Sequence, residues 1–201
     1  MIVILAVAAG PYASARADAT ADCFGEDLVR RIAGCTELIE RGDQGGDTRI
    51  FAYAMRGLTF SINGHFEAAI RDYDAAIALK PDFAIALNNR AWAYFRWGKT
   101  AAGLPDVEKS LQLNPQSQHA FDTRAHIRQA IGDPEGALSD YDGAMRHGGV
   151  PMTRLYQCGL RGLGFYSGEI DGILRPELTE ALRKCVHDKA CEPLPPGEKC
   201  P

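Results

Sequence analysis

Six cysteines and five histidines are the side chains of this 201-residue sequence best suited to chemistry. Thiolates and imidazoles are zinc ligands, and Cys185, His187, Cys191 and Cys200 fall in one short stretch. That stretch lacks a Cys-x-x-Cys knuckle, so no metal site is expected in it. The six cysteines, Cys23, Cys35, Cys158, Cys185, Cys191 and Cys200, are even in number and gathered at the two ends, with none between Cys35 and Cys158. This usage predicts disulfides and an oxidising compartment. Connectivity stays open from sequence alone. Local closure would pair Cys158 with Cys185, Cys191 with Cys200 and Cys23 with Cys35. The last pair requires the chain before Asp27 to fold back, because about 12 residues of continuous helix would hold the sulfurs about 18 Å apart.

The histidines, His65, His119, His126, His147 and His187, are scattered, with no nucleophile motif or His-Glu-x-x-His nearby. His65 sits where a turn after Gly64 enters a helix, and most of the others are expected to face water. Phosphate loops and dinucleotide fingerprints are absent from the sequence, so no catalytic residue, cofactor or metal ligand is assigned and an enzyme is not expected. A net charge of -4 offers no basic excess to neutralise a nucleic-acid backbone, while 46% hydrophobic residues suffice for a buried core.

The elements that carry these residues repeat. Ala76-Ile77-Ala78-Leu79-Lys80-Pro81 echoes in Ser110-Leu111-Gln112-Leu113-Asn114-Pro115, which sets a period of about 34 residues. In that register Ile50, Ala84 and Gln118 open successive repeats. Tyr53, Gly57, Phe60, Ala69, Tyr73 and Ala76 of the first repeat then alternate large and small side chains. Leu87, Ala91, Tyr94, Gly103, Val107 and Ser110 fill the same places in the second, and Phe121, Ala125, Arg128, Ala137, Tyr141 and Ala144 in the third. Paired antiparallel helices approach closely where one offers a small residue to a large one on the other. Gly64, Gly98 and Gly132 recur where each first helix must end and turn. Pro105, about one turn into a second helix, predicts a late start or a kink there. Upstream, Asp27 to Glu40 reads as one amphipathic helix with Leu28, Ile32, Cys35, Leu38 and Ile39 at helical spacing.

This register resembles the tetratricopeptide-repeat family over residues 50 to about 149. The resemblance implies an all-α fold: a right-handed α-α superhelix of helical hairpins at 50–83, 84–117 and 118–149, with residues 20–49 as a capping helix, the second half of a degenerate repeat. It also implies a concave groove, lined by first helices, that holds a peptide or protein partner. Asn88, Asn89, Trp92, Phe95 and Arg96 are the groove-facing side chains of the second repeat, continued by Asp122, His126 and Gln129. Packing between helices is the other use open to Trp92 and Phe95. One subset of the family grips a terminal carboxylate with lysines, an arginine and asparagines. Here only Asn89 matches, and the other slots hold Ala54, Leu58, His119 and Thr123, so free C-terminal carboxylates should not be preferred.

After Gly148-Gly149 the period stops. Leu155-Tyr156-Gln157, Leu163-Gly164-Phe165-Tyr166, Ile170-Asp171-Gly172-Ile173 and Ala181-Leu182 follow in an order that resembles the small helical peptidoglycan-binding domain. Residues 150–201 are therefore expected to form a small helical module braced by disulfides. The resemblance implies a glycan-facing set of Tyr166, Asp171 and Arg175, although Arg175 replaces the usual loop glycine and Cys185-Val186 the usual closing pair. Asp171-Gly172 is also a turn signal in its own right, which favours a purely structural cap. The closing Pro-Leu-Pro-Pro stretch cannot be helical.

At the other end, Met1 to Tyr12 is almost wholly apolar and leads to Ala15-Arg16-Ala17, a small-x-small site. Residues 1–19 read as a signal peptide cleaved after Ala17 or Ala19, although no basic residue precedes the apolar run. A buried N-terminal helix is the other reading. The run is shorter than the ~20 residues of a membrane span. Two roles follow: a periplasmic or secreted scaffold that binds a peptide or protein in its groove, or a wall-associated protein that binds peptidoglycan through its C-terminal module.

Overall fold

The computed structural model describes residues 18–42, 46–188, 191–194 and 200, and all regular structure among them is helical. The expected signal peptide lies almost wholly outside these residues. Nine helices follow in order among the described residues: α1 (Ala19–Phe24), α2 (Leu28–Arg41), α3 (Gly46–Ile62), α4 (Phe66–Leu79), α5 (Ala84–Arg96), α6 (Thr100–Leu113), α7 (Gln118–Ile131), α8 (Pro134–Gly162) and α9 (Pro176–Val186). Each packs against its chain neighbours as successive hairpins. α5 also touches both α3 and α7, so the first helices of the repeats line the inner side of the stack.

The turns inside the repeats are nearly identical. His65 N–H donates to the Phe60 carbonyl at 2.8 Å and Gly64 N–H to Ser61 at 3.1 Å. Lys99 with Tyr94 and Asp133 with Arg128 repeat the longer bond at 2.9 and 2.8 Å. This double bond to the last helical turn requires a left-handed residue, and Gly64, Gly98 and Gly132 supply φ of 76°, 77° and 87°. Phe165 and Gly164 form the same turn after α8, so the first helix of the C-terminal module ends with the device that ends each first helix of the repeats.

Close helix approach explains the small residues. A Cβ on Gly57 would stand 3.0 Å from the Tyr73 ring, and one on Gly103 would stand 2.7 Å from the Ala91 carbonyl. Tyr73 fills the space beside Gly57 and, like Tyr141, is fully buried.

Three expectations need correction. Pro105 neither delays nor interrupts α6, which starts at Thr100, 34 residues after Phe66 opens α4. Pro105 and Ala101 are both exposed, so the carbonyl that loses its donor lies where water can replace it. The N-terminal cap is also more than one helix. α1 folds back on α2 as a short hairpin, with Asp18 and Asp27 accepting backbone N–H groups at the two helix starts. The helices cross at Gly34, whose Cβ would meet the Ala19 carbonyl at 2.7 Å, and the Cys23–Cys35 bridge locks the crossing with Cα atoms 4.5 Å apart.

The third correction concerns the other bridges. Cys158 pairs with Cys200 and Cys185 with Cys191, in place of Cys158 with Cys185 and Cys191 with Cys200. Cys185 lies in the last turn of α9, and the chain turns just after the helix: Asp188 N–H donates to the Cys185 carbonyl and Cys191 N–H to the Asp188 carbonyl, at 2.9 and 3.0 Å. That turn brings Cys191 back over Cys185, leaving Cys158 to the last cysteine.

Gly149 divides α8, its φ of 60° and ψ of -151° redirecting the chain from the third repeat into the C-terminal module. One core nevertheless runs through both. Tyr141 and Met145 before the bend pack with Tyr156, Leu160, Leu178, Leu182 and Cys185 after it.

Candidate functional site

The inner side is built mainly from α5 and α7. On α5, Trp92 and Phe95 are half-buried with ring centroids 5.2 Å apart, and the exposed Arg96 places its guanidinium 5.7 Å from the centre of the Trp92 ring. Asn88 and Asn89 lie one turn earlier, partly buried, and the Asn88 Oδ1 has no hydrogen-bond partner. Asn89, Trp92, Phe95 and Arg96 form the open part of the face, and the Asn88 oxygen is buried.

From there the rings continue inward. His126 stands 5.4 Å from Trp92 and 5.6 Å from Phe95, Tyr141 follows at 5.2 Å, and Tyr156 lies 5.6 Å beyond Tyr141. Burial raises both tyrosine pKa values well above the ordinary range, and the Asp122 carboxylate beside them adds to the shift.

Asp122, His126 and Gln129 occupy the expected helix but are engaged within the chain. Tyr156 donates its hydroxyl to Asp122, and His126 Nδ1 lies 2.9 Å from the Asp122 backbone carbonyl. Tyr141 donates to Gln129 Oε1 at 2.9 Å, and Gln129 Nε2 in turn donates to the Cys191 carbonyl at 2.8 Å. The C-terminal segment thus closes this end of the face. His119, His147 and His187 are exposed, as most histidines beyond the first were expected to be, and His126, 4% exposed, is the exception.

Tyr166, Asp171 and Arg175 are also engaged internally. Asp171 takes both guanidinium contacts of Arg175, at 2.9 and 2.6 Å, and accepts the Ile173 N–H at 3.0 Å and Gln157 Nε2 at 3.2 Å. Arg175 and these N–H donors hold the Asp171 carboxyl well below the usual range. Gln157 returns its oxygen to the Gly172 N–H at 2.8 Å. Tyr166 is buried and donates to the Glu169 carbonyl. The Asp-Gly loop organises the module. Cys185, Cys191 and Cys200, the cysteines of the short stretch that also holds His187, are all joined in disulfides.

One set of polar residues escaped the sequence reading although its signal was present. Arg56, Arg90 and Arg124 stand one repeat apart, and Asp72, Asp106 and Asp140 follow each by 16 residues. Every pair forms two parallel contacts of 2.6 to 2.8 Å between the first and second helix of its repeat. Arg90 also reaches back to Asp74 on the preceding hairpin at 2.5 Å, and Arg56 to Thr36 at 2.9 Å. These bonds raise the Arg56 and Arg90 pKa values further, Asp72 and Asp106 contributing most. The ladder fixes the angle at which the inner helices present their side chains.

Comparison with known proteins places the repeats. Residues 57–98 match a family model described as TPR repeat, and residues 84–117 match one described as Tetratricopeptide repeat. The chain is 26% identical over 160 residues to Tetratricopeptide repeat protein 37 of Xenopus laevis, covering 80% of this chain and 10% of that protein. It is 31% identical over 121 residues to RNA polymerase II-associated protein 3 of Xenopus tropicalis, covering 58% and 18%. Identity is 26% over 92 residues with Hsp70-Hsp90 organizing protein 3 of Arabidopsis thaliana, covering 46% and 16%. The chain therefore spans less than a fifth of the length of these relatives. A crystal structure of MamA superposes with a TM-score of 0.56 at 19% identity, covering 79% of this chain and 86% of that one, a likeness of fold.

Proposed function

This chain is a tetratricopeptide-repeat protein across residues 57–117, and on that premise we propose that it is an exported scaffold which holds a peptide or protein partner against the inner face of its helical stack. The observation that carries this is the cluster on α5. Trp92 and Phe95 offer apolar ring surface, Arg96 a fixed cation, and Asn88 an acceptor without a partner, the mixture that anchors polypeptide partners. The Arabidopsis relative is by its name an organizer of two other proteins, and bringing polypeptides together is the role proposed here.

Export is supported by the apolar run ahead of Ala15-Arg16-Ala17 and by cysteines paired in three bridges among the described residues. Cleavage after Ala17 would leave α1 whole, with Asp18 as its cap; cleavage after Ala19 would remove that cap and a buried residue. A wall-glycan role would require Tyr166, Asp171 and Arg175 to leave their present contacts, which favours the inner-face reading.

The test is selection of peptides from a random display library on the purified, oxidised chain. Trp92→Ala with Arg96→Ala should weaken the selected peptides at least about tenfold, while amidating their C-termini should leave affinity unchanged. Undiminished binding by a variant of unaltered melting temperature would sink the reading.

A further inference from the structure

Where the C-terminal segment closes the inner face it does not fill it. Gln129 holds the Cys191 carbonyl at 2.8 Å, and the Cys185–Cys191 bridge fixes the turn that carries it. Between this turn, α5 and α7 lies a cavity of about 590 Å³. It has the size of a small-ligand pocket. Phe95, Ala130 and Ile131 give it apolar walls, and His126 and Gln129 line it together with Glu192.

His126 is the buried polar side chain of this lining with an atom left unmatched. Its Nδ1 lies 2.9 Å from the Asp122 backbone carbonyl and 3.6 Å from the Asp122 carboxylate, oxygens that accept, so Nδ1 carries a proton, and in the neutral form of such a ring Nε2 is an acceptor. Nε2 is buried and has no hydrogen-bond partner. Unmade bonds at buried acceptors oppose folding and are rare, so each calls for a group that the chain itself does not supply. Gln129, by contrast, is already spent on Tyr141 and Cys191.

The geometry points to this cavity as the anchor pocket for one aromatic side chain bearing a donor, the hydroxyl of tyrosine or the N–H of tryptophan, on the partner that the inner face holds. The inference rests on the peptide-binding reading of that face. A ring fits between apolar walls and beside the Phe95 and His126 rings, which stand 5.6 Å apart, and its donor meets Nε2. A lysine would meet the Glu192 carboxylate but would leave the apolar walls and the Phe95 and His126 rings without a ring to cover them, so an aromatic occupant matches more of the lining.

The test uses the full oxidised chain labelled with ¹⁵N-histidine and titrated with N-acetyl-tyrosinamide, N-acetyl-phenylalaninamide and N-acetyl-lysinamide. The tyrosine amide should move the His126 Nε2 resonance and saturate in the millimolar range or below. The phenylalanine amide should bind at least about tenfold more weakly, since it leaves the acceptor unmade. His126→Phe should abolish that preference. Ala130→Trp, a change at an exposed position in the cavity wall, should block the tyrosine amide without altering the melting temperature. Equal affinity for the two aromatic amides, tighter binding of the lysine amide, no binding at all, or binding that survives Ala130→Trp would each overturn the pocket. Display-selected peptides separate this failure from failure of the face. Peptides that need Trp92 but tolerate Ala130→Trp would remove only the pocket, whereas indifference to both variants would remove the inner-face reading itself.

Discussion

Arg124 and Asp140 meet across α7 and α8 through two parallel contacts, Nε to Oδ2 at 2.8 Å and Nη2 to Oδ1 at 2.6 Å. Arg128 adds a third contact to the same carboxylate at 2.8 Å, and Asp140 is only 2% exposed. Removing one partner of such a group strands the other charge out of water. Asp140→Ala should therefore lower unfolding stability by about 3–5 kcal/mol in urea titration. Asp106→Ala should cost less, about 2 kcal/mol, because Arg90 keeps Asp74. Equal losses at the two sites would show that the ladder's contacts are not what the carboxylates contribute.

The disulfide pairing predicts a specific peptide map. Tryptic digestion without reduction should link residues 155–161 to 200–201 and residues 185–189 to 190–199. A link between 155–161 and 185–189 would contradict the structure. Loop lengths of 42 and 6 residues imply unequal contributions. By chain entropy, breaking Cys158–Cys200 should cost about 4 kcal/mol and breaking Cys185–Cys191 about 2 kcal/mol, measured on paired serine variants.

Gly149 adopts φ 60° and ψ -151°, a region that side chains do not readily enter, although open space surrounds its position. Gly149→Ala should thus destabilise by backbone strain alone, about 1–3 kcal/mol. Thermal unfolding followed by circular dichroism would check this, and an unchanged midpoint would mean the bend tolerates another geometry.

Asp171 gives the C-terminal module a pH dependence. Its folded pKa is depressed by Arg175 and by backbone and side-chain N–H donors, so its carboxylate stabilises the fold fully above the unfolded value of about 3.9. That contribution falls away as pH drops below that value and through the still lower folded pKa. Asp171→Asn should flatten this part of the stability profile and leave the profile above pH 5 parallel to that of the parent. A variant with the same acid limb would exclude Asp171 as its source.

What could be read from the sequence was periodic. Pro81 and Pro115 fixed the register, and Gly64, Gly98 and Gly132 marked turns that the structure builds with the same pair of backbone bonds. Trp92, Phe95 and Arg96 came from that register and lie together on α5. Residues outside the period were harder. Whether Cys158 meets Cys185 or Cys200 depends on a turn after α9 that no spacing rule encodes. Asp122 and Gln129 sit on the expected helix, but their partners Tyr156 and Cys191 arrive from the non-repeating segment. Arg56, Arg90 and Arg124 show the opposite case: their spacing was visible, but charges on helices ordinarily face water, so the period alone did not suggest burial.

The step of the arginine ladder equals the length of one repeat, and this bears on how such a chain can grow. A second copy of residues 84–117 placed after the first would bring its own Arg90 and Asp106, the pair that joins the two helices of one repeat. Each new hairpin would arrive with its own clasp already cut. Duplication could lengthen the middle of the stack without redesign, while the two cystine-bound ends, fitted to no period, would stay single.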